Sequence, residues 1–232
     1  MTLFLPTLVG VGLLNLYALA LVLLRAPLFS TRLYRPMTWN IWLSSVPAVI
    51  LVATLGGLFL AVHLASTLLL WIVITVGGLM WLLALPNAAY LITELNFSHR
   101  QAGENVPMWY DIVLVLTLAL SGVANTLLNI LLAHVIISLI AYPNDPHPLV
   151  NPTTWVGIGV VLLLVGFGVY LGRYVRFNSW DIKRPIQFLR KLRGHFESRA
   201  NRRAALGLTL THALLLGILY LLLAGPQIIY LM

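Results

Sequence analysis

The chain has 232 residues, of which 60% are hydrophobic and 9% charged, where soluble domains carry about 45–50% and about 25%. That balance excludes a water-soluble globule, and several apolar runs reach about 20 residues, enough to cross about 30 Å of hydrocarbon. The absence of cysteine excludes disulfides, thiolate nucleophiles, Cys-ligated zinc and iron–sulfur clusters together.

Six apolar runs predict membrane spans at Leu3–Leu24, Ile41–Val62, Ser66–Pro86, Asp111–Tyr142, Thr153–Val175 and Ala204–Leu223. They use most of the chain and leave no room for a separate soluble core, so residues 1–232 read as one all-α, six-span transmembrane bundle. The first run contains Ala18-Leu19-Ala20, a small-x-small spacing that resembles a signal-peptidase site. It starts without Lys or Arg and continues through Leu21–Leu24, so it is read as a retained helix and not as a cleaved leader.

Orientation follows from where the positive charges fall. Connection one holds Arg25, Arg32 and Arg35, connection three holds Arg100, and connection five holds every remaining Lys and Arg, from Arg173 to Arg203. The second and fourth connections and both termini hold none. The positive-inside rule then predicts a cell (inner) membrane protein with both termini outside and connections one, three and five cytoplasmic.

Connection three begins at Pro86-Asn87, read as a break after the third span, and stays apolar through Tyr90, Leu91, Ile92, Leu95 and Phe97. It is expected to lie in the interface or fold back into the bundle, which puts Glu94 near or below headgroup level. A carboxylate in such a stretch costs a few kcal/mol unless paired or hydrated. Glu94 is therefore either a partnered functional group or an exposed interfacial one. Asp111 opens the fourth span, where a carboxylate serves free amide groups and the positive dipole end without any further role. Trp109 and Tyr110 read as an aromatic belt.

Within the fourth span, Thr117, Ser121, Asn125 and Asn129 recur every fourth residue as a drifting polar stripe. Facing lipid it would be expensive, so it faces other helices or a wet path. His134 and His212 are intramembrane, and the six scattered His residues show no HExxH pattern, so no metal site is read from them. The fifth span is glycine-rich, which suggests a central helix approached closely by two neighbours. At its exit Arg173 and Arg176 sit one turn apart, with Asn178 and Asp181 following. Two arginines there complement the helix dipole and snorkel, and in fork geometry they also grip a phosphate or carboxylate. From Ile182 to Phe196, apolar residues at helical spacing alternate with Arg190, Lys191 and Arg193, which predicts a basic interfacial helix drawn to anionic inner-leaflet lipid. Topology and lipid account for the excess charge, and nucleic acid is not a predicted partner.

The segments Pro86 to Leu95 (PNAAYLITEL) and Leu171 to Asp181 (LGRYVRFNSWD), with Asn40 and Pro47 ahead of them, resemble the signatures of a bacterial and archaeal family of small integral membrane proteins known only as a domain of unknown function. The likeness runs roughly over residues 37–185. The acidic position, commonly Asp in that family, is Glu94 here, which changes the reach of the carboxylate. The resemblance implies the fold and singles out these residues; it implies no reaction, and the cofactor stays unassigned.

Three functions are compatible with these features. The leading one is a non-catalytic protein that binds an anionic lipid headgroup, a small phosphate-bearing ligand or a partner subunit through Asn87, Tyr90, Arg173, Arg176 and Asn178. The second is an intramembrane enzyme acting on a lipid or isoprenoid phosphate, with Glu94, Asp111 or Asp181 as base or Mg²⁺ ligand. The third is a transporter built on the fourth-span stripe and His212, with a second copy or a membrane partner supplying the missing wall.

Overall fold

A computed structural model describes residues 4–96, 100, 103–175 and 185–230, and every regular element among them is helical. In chain order these are α1 (Leu5–Phe29), α2 (Arg35–His63), α3 (Thr67–Ala89), a 3-10 segment (Tyr90–Asn96), α4 (Met108–Ala141), a short 3-10 turn (Pro148–Val150), α5 (Pro152–Tyr170) with a π-helical turn (Leu171–Val175), α6 (Pro185–Glu197) and α7 (Arg199–Tyr230). Six helices are long and apolar enough to cross a membrane, and they correspond to the six predicted spans.

The boundaries differ where charge or proline had been taken as a stop. α1 continues five residues beyond Leu24, through Arg25 and Pro27, and ends at Ser30 with a left-handed φ of 53°. Hydropathy drops at Arg25, but the guanidinium is buried among partners and the helix has no reason to end there. The expected break at Pro86-Asn87 is absent: α3 runs on to Ala89 and only then tightens into the 3-10 segment. The Pro86 ring packs against Gly168 of α5, where a Cβ would collide with it. α3 starts at Ser66, whose hydroxyl accepts from the Leu69 amide at 3.3 Å, a standard N-cap. α7 reaches back to Arg199, so its first turns carry Arg199, Arg202 and Arg203 ahead of the apolar run.

α4 is the central element, in place of the glycine-rich α5. Of α4's most apolar stretch 56% of the residues are buried, against 33% for α5. α4 touches α1, α2, α3, α5 and α7, whereas α5 packs chiefly on α7 and α3. The reason lies in what each helix carries: the polar side chains of α4 need partners on several sides. The glycines of α5 serve fewer contacts than their number suggested, since Gly157 and Gly159 face open space and Gly166 abuts the Thr209 backbone of α7.

Two apolar cores result. One gathers Leu85, Leu131, Val165, Leu216 and Tyr220 from α3, α4, α5 and α7, and the other gathers Ala18, Met37, Leu91, Leu114 and Leu118 from α1, α2, the 3-10 segment and α4. Large apolar side chains such as Phe59, Leu83 and Leu222 point outward at 76%, 79% and 70% exposure, as lipid-facing residues do. In the connection after α4, Asp145 accepts from the His147 amide at 2.9 Å and from Asn151 Nδ2 at 3.3 Å, which holds its carboxyl below the usual range.

The tightest interhelical approach on α4 is at Gly122, where a Cβ would lie 2.6 Å from the Ala88 carbonyl oxygen and 2.6 Å from Leu91 Cβ. Gly122→Ala is expected to cost about 1–3 kcal/mol through overpacking. Gly10→Ala, facing open space, is expected to be neutral or slightly stabilising. Thermal unfolding midpoints in detergent compare the two.

Candidate functional site

The C-terminal ends of α1, α3 and α5 and the N-terminal ends of α2, α4 and α7 meet at one end of the bundle, as the bonds Arg25–Asp111, Asn40–Glu94 and Tyr170–Asn201 show. This arginine-rich end holds the described candidates Asn87, Tyr90, Glu94, Asp111 and Arg173, and the fold sorts them into separate groups.

The first group is a buried charge cluster. Asp111 is fully buried in the first turn of α4. Arg25 of α1, 4% exposed, donates to it from Nε at 2.9 Å and from Nη2 at 3.4 Å. The same Nη2 reaches Glu104 Oε2 at 2.7 Å, and Arg100 Nη1 donates to Asp111 Oδ2 at 3.1 Å. Among the described residues two guanidiniums pair with two carboxylates, and such pairing is the condition under which buried charge is tolerable. The cluster pins α1 to α4, helped by Tyr110, whose hydroxyl donates to the Leu21 carbonyl at 2.8 Å. Asp111 therefore does more than serve a helix terminus. Arg25 and Arg100 counted only toward topology in the sequence, and Glu104 was not singled out; their approach depends on tertiary structure.

The second group is centred on Glu94, 6% exposed on the inner face of the 3-10 segment. Its Oε1 accepts from Asn40 Nδ2 of α2 at 2.8 Å, while Oε2 is buried with no hydrogen-bond partner. Glu94 is thus the partnered carboxylate, and the partner is the asparagine of the earlier motif. Further into the bundle, Asn125 and Asn15 exchange reciprocal amide bonds of 2.8 and 2.9 Å, and Asn125 also donates to Ser44 Oγ at 3.0 Å. Asn129 donates to the Asn125 carbonyl at 2.8 Å and accepts from Trp81 Nε1 at 3.2 Å. Ser121 bonds back to the Leu118 carbonyl within α4, and Thr117 is buried beside it. Asn125 and Asn129, the core of the stripe, thus join α4 to α1, α2 and α3.

The third group surrounds Arg173. A π-helical turn ends α5 and presents Arg173 exposed to the surroundings, not fixed between helices as a central α5 would have required. Such turns recur at functional positions. Arg173, Thr93, Asn96 and His212 line an open groove of about 410 Å³ whose walls include Ile92, Leu95, Val169 and Leu208. Tyr90 lies beside it, its ring 3.3 Å from where a Gly172 Cβ would sit, and Asn87 is half-buried on the last turn of α3. Arg176, Asn178 and Asp181 lie outside the described residues. His212, which the transporter reading joined to the fourth-span stripe, lines this groove, and its Nε2 is buried with no hydrogen-bond partner among the described residues.

α6 closes on this side. Tyr170 donates its one proton to the Asn201 carbonyl at 3.0 Å, so His195 Nε2, 2.8 Å away, donates to the Tyr170 oxygen. Ile186 and Leu189 of α6 are 73% and 59% exposed, and Arg190 and Arg193 are also exposed.

At the opposite end, two apolar cavities of about 200 and 260 Å³ adjoin at Trp81, Ala133, Ile137 and Ala141. His134 reaches the first of them, but its Nδ1 is engaged by the Tyr220 hydroxyl at 2.8 Å. Among the described residues no group of three or more His, Asp or Glu side chains is placed to share a metal ion.

Six apolar helices among the described residues, five of them packed around the polar-lined α4, define a multi-pass α-helical membrane protein. Residues 39–219 match the family described as protein of unknown function (DUF1361), and the chain belongs to that family. The match begins in α2 and extends into α7, beyond the stretch covered by the two signatures. No curated protein and no solved structure matches the chain.

The charge cluster makes a direct stability prediction. Arg25→Met strips Asp111 and Glu104 of their shared cation and is expected to cost about 3–5 kcal/mol. Arg35→Met, at an exposed position of the same end, is expected to stay within about 0.5 kcal/mol. Denaturant or thermal unfolding of the two variants in one detergent checks the contrast.

Proposed function

We propose that the protein is a non-catalytic membrane protein that binds an anionic lipid in the groove between the 3-10 segment, α5 and α7, with the headgroup at Arg173 and the arginine-rich end in the cytoplasm. The observation that carries this reading is Arg173 itself. It is an exposed guanidinium with no carboxylate partner among the described residues, at a groove whose walls are largely apolar. A cation over an apolar groove complements an amphiphile with a negative head.

Contacts elsewhere support the choice. Arg25 and Arg100 are already engaged by carboxylates, Arg25 by Asp111 and Glu104 and Arg100 by Asp111. The exposed apolar and basic residues of α6 suit a helix lying on an anionic leaflet beside the groove. Two of the carboxylates an enzyme would draw on are engaged away from the groove, Asp111 by arginine and Glu94 by Asn40, and neither lines it. Asn125 and Asn129 are bonded between helices, which favours a structural stripe over a solute path.

Native mass spectrometry of the mildly extracted protein tests the site. Wild type is expected to retain phosphatidylglycerol in preference to phosphatidylcholine, and Arg173→Ala to lose most of that preference while Arg35→Ala keeps it. A bare wild-type protein, or one carrying only another polypeptide, overturns the reading. Orientation has its own test: a thiol introduced by His147→Cys, in a chain without other cysteines, is expected to react with an impermeant maleimide from the outside of intact cells. Labelling only after the cytoplasm is opened would reverse the topology.

A further inference from the structure

The lipid-binding reading leaves unused a buried group that borders its own groove. His212 of α7 lines the groove that Arg173 opens, yet its Nε2 is buried with no hydrogen-bond partner. An imidazole nitrogen left without a partner in an apolar wall is costly, about 1–3 kcal/mol, so a group that completes it is favoured.

The relative depth of the two residues says what that group is. Gly166 of α5 abuts Thr209 of α7, which sets the level at which the two helices cross the same plane. Arg173 lies seven residues from Gly166 toward the arginine-rich end, and His212 lies three residues from Thr209 in the opposite direction. At 1.5 Å per residue their backbones are separated by about 15 Å along the bundle. Side chains on a helix tilt toward its N-terminus, so in this antiparallel pair Arg173 leans inward from the headgroup side and His212 leans back toward it. The gap left between the tips of the long arginine and the imidazole is comparable with the interfacial layer, about 5–7 Å on each side of the hydrocarbon. A phosphate held by Arg173 does not also sit at His212. The acceptors that a lipid offers one layer below its phosphate are ester carbonyl oxygens.

We infer that His212, its ring turned so that the buried Nε2 meets the groove, is a second recognition point that donates from Nε2 to an ester carbonyl, so that the groove selects ester-linked anionic glycerophospholipids over anionic lipids without a carbonyl at that depth. The inference rests on the lipid-binding reading above and adds the linkage chemistry of the ligand. Thr93 and Asn96 border the same groove and contribute to the headgroup side, where linkage is not sensed. An ether-linked lipid of the same head and chains brings an oxygen that is a poorer acceptor and leaves Nε2 unsatisfied. An isoprenoid phosphate brings no acceptor at that depth.

The test is competition between dioleoyl phosphatidylglycerol and its diether analogue for the delipidated full-length protein, read as the ratio of lipid-bound masses. Wild type is expected to favour the ester by about fivefold, the size of one neutral hydrogen bond. His212→Leu is expected to bring that ratio to about one while keeping the preference for phosphatidylglycerol over phosphatidylcholine. Arg173→Gln is expected to do the reverse, losing charge preference but keeping ester preference. A wild-type ester-to-ether ratio of one, with charge preference intact, overturns the inference and leaves the lipid-binding reading standing. That outcome needs no variant to fold. An ester preference that survives His212→Leu also overturns it, and a wild type without charge preference overturns both.

Discussion

The bidentate contact between Arg25 and Asp111 is the constraint around which the arginine-rich end is organised. Neither charge is tolerable alone at that depth, because desolvation of a single ion exceeds anything the surrounding apolar contacts return. Together, and joined by Glu104 and Arg100, they form a knot of paired charges that ties the last turns of α1 to the first turn of α4. Once α1 is held there, Asn15 comes level with Asn125, and their reciprocal amide pair carries the same registration toward the middle of the bundle. The central position of α4 follows from this. A helix with buried aspartate, asparagines and histidine needs neighbours on several sides, and α1, α2, α3, α5 and α7 provide them.

The 3-10 segment Tyr90–Asn96 separates two environments. Its inner side chains, Leu91 and Glu94, close against the core that includes Met37 and Leu118 and against Asn40, whereas Ile92, Thr93, Leu95 and Asn96 form one wall of the groove. A tighter helical turn places these residues on two faces within a short length, so one stretch of sequence serves both the interior and the membrane-facing side. The other wall is made by α5 and α7, whose approach depends on Gly166 lying against the α7 backbone. Pro86 seated at Gly168 joins α3 to the same pair. The groove is thus framed by close backbone contacts between α3, α5 and α7.

Much of this architecture is legible without a structure. The six spans follow from the thickness of hydrocarbon and the need to satisfy every backbone amide inside it, and the basic interfacial helix follows from the alternation of apolar and cationic residues. The burial of Glu94 was legible as a cost that required a partner, and the inward orientation of Asn125 and Asn129 as the alternative to exposing amides to lipid. Pro86-Asn87 misled, because a proline interrupts a helix only when nothing compensates, and here its ring has a glycine to pack on. The glycines of α5 misled for the converse reason: a missing side chain permits a close approach but does not create one, and Gly157 and Gly159 have no neighbour.

What the chain determines by itself is which segments enter the membrane and which side chains are unaffordable there without partners, because both depend on transfer free energies that are local to each residue. The choice of partners belongs to the tertiary structure. Arg25 and Asp111 are 86 residues apart, as are His134 and Tyr220, and Asn15 and Asn125 are 110 apart. Nothing in the periodicity of one helix encodes which face of another it meets. That Arg25 is buried while Arg173 is exposed at a groove was likewise decided only when the helices packed, since two arginines at span ends are equivalent until neighbours either supply carboxylates or leave the side chain exposed.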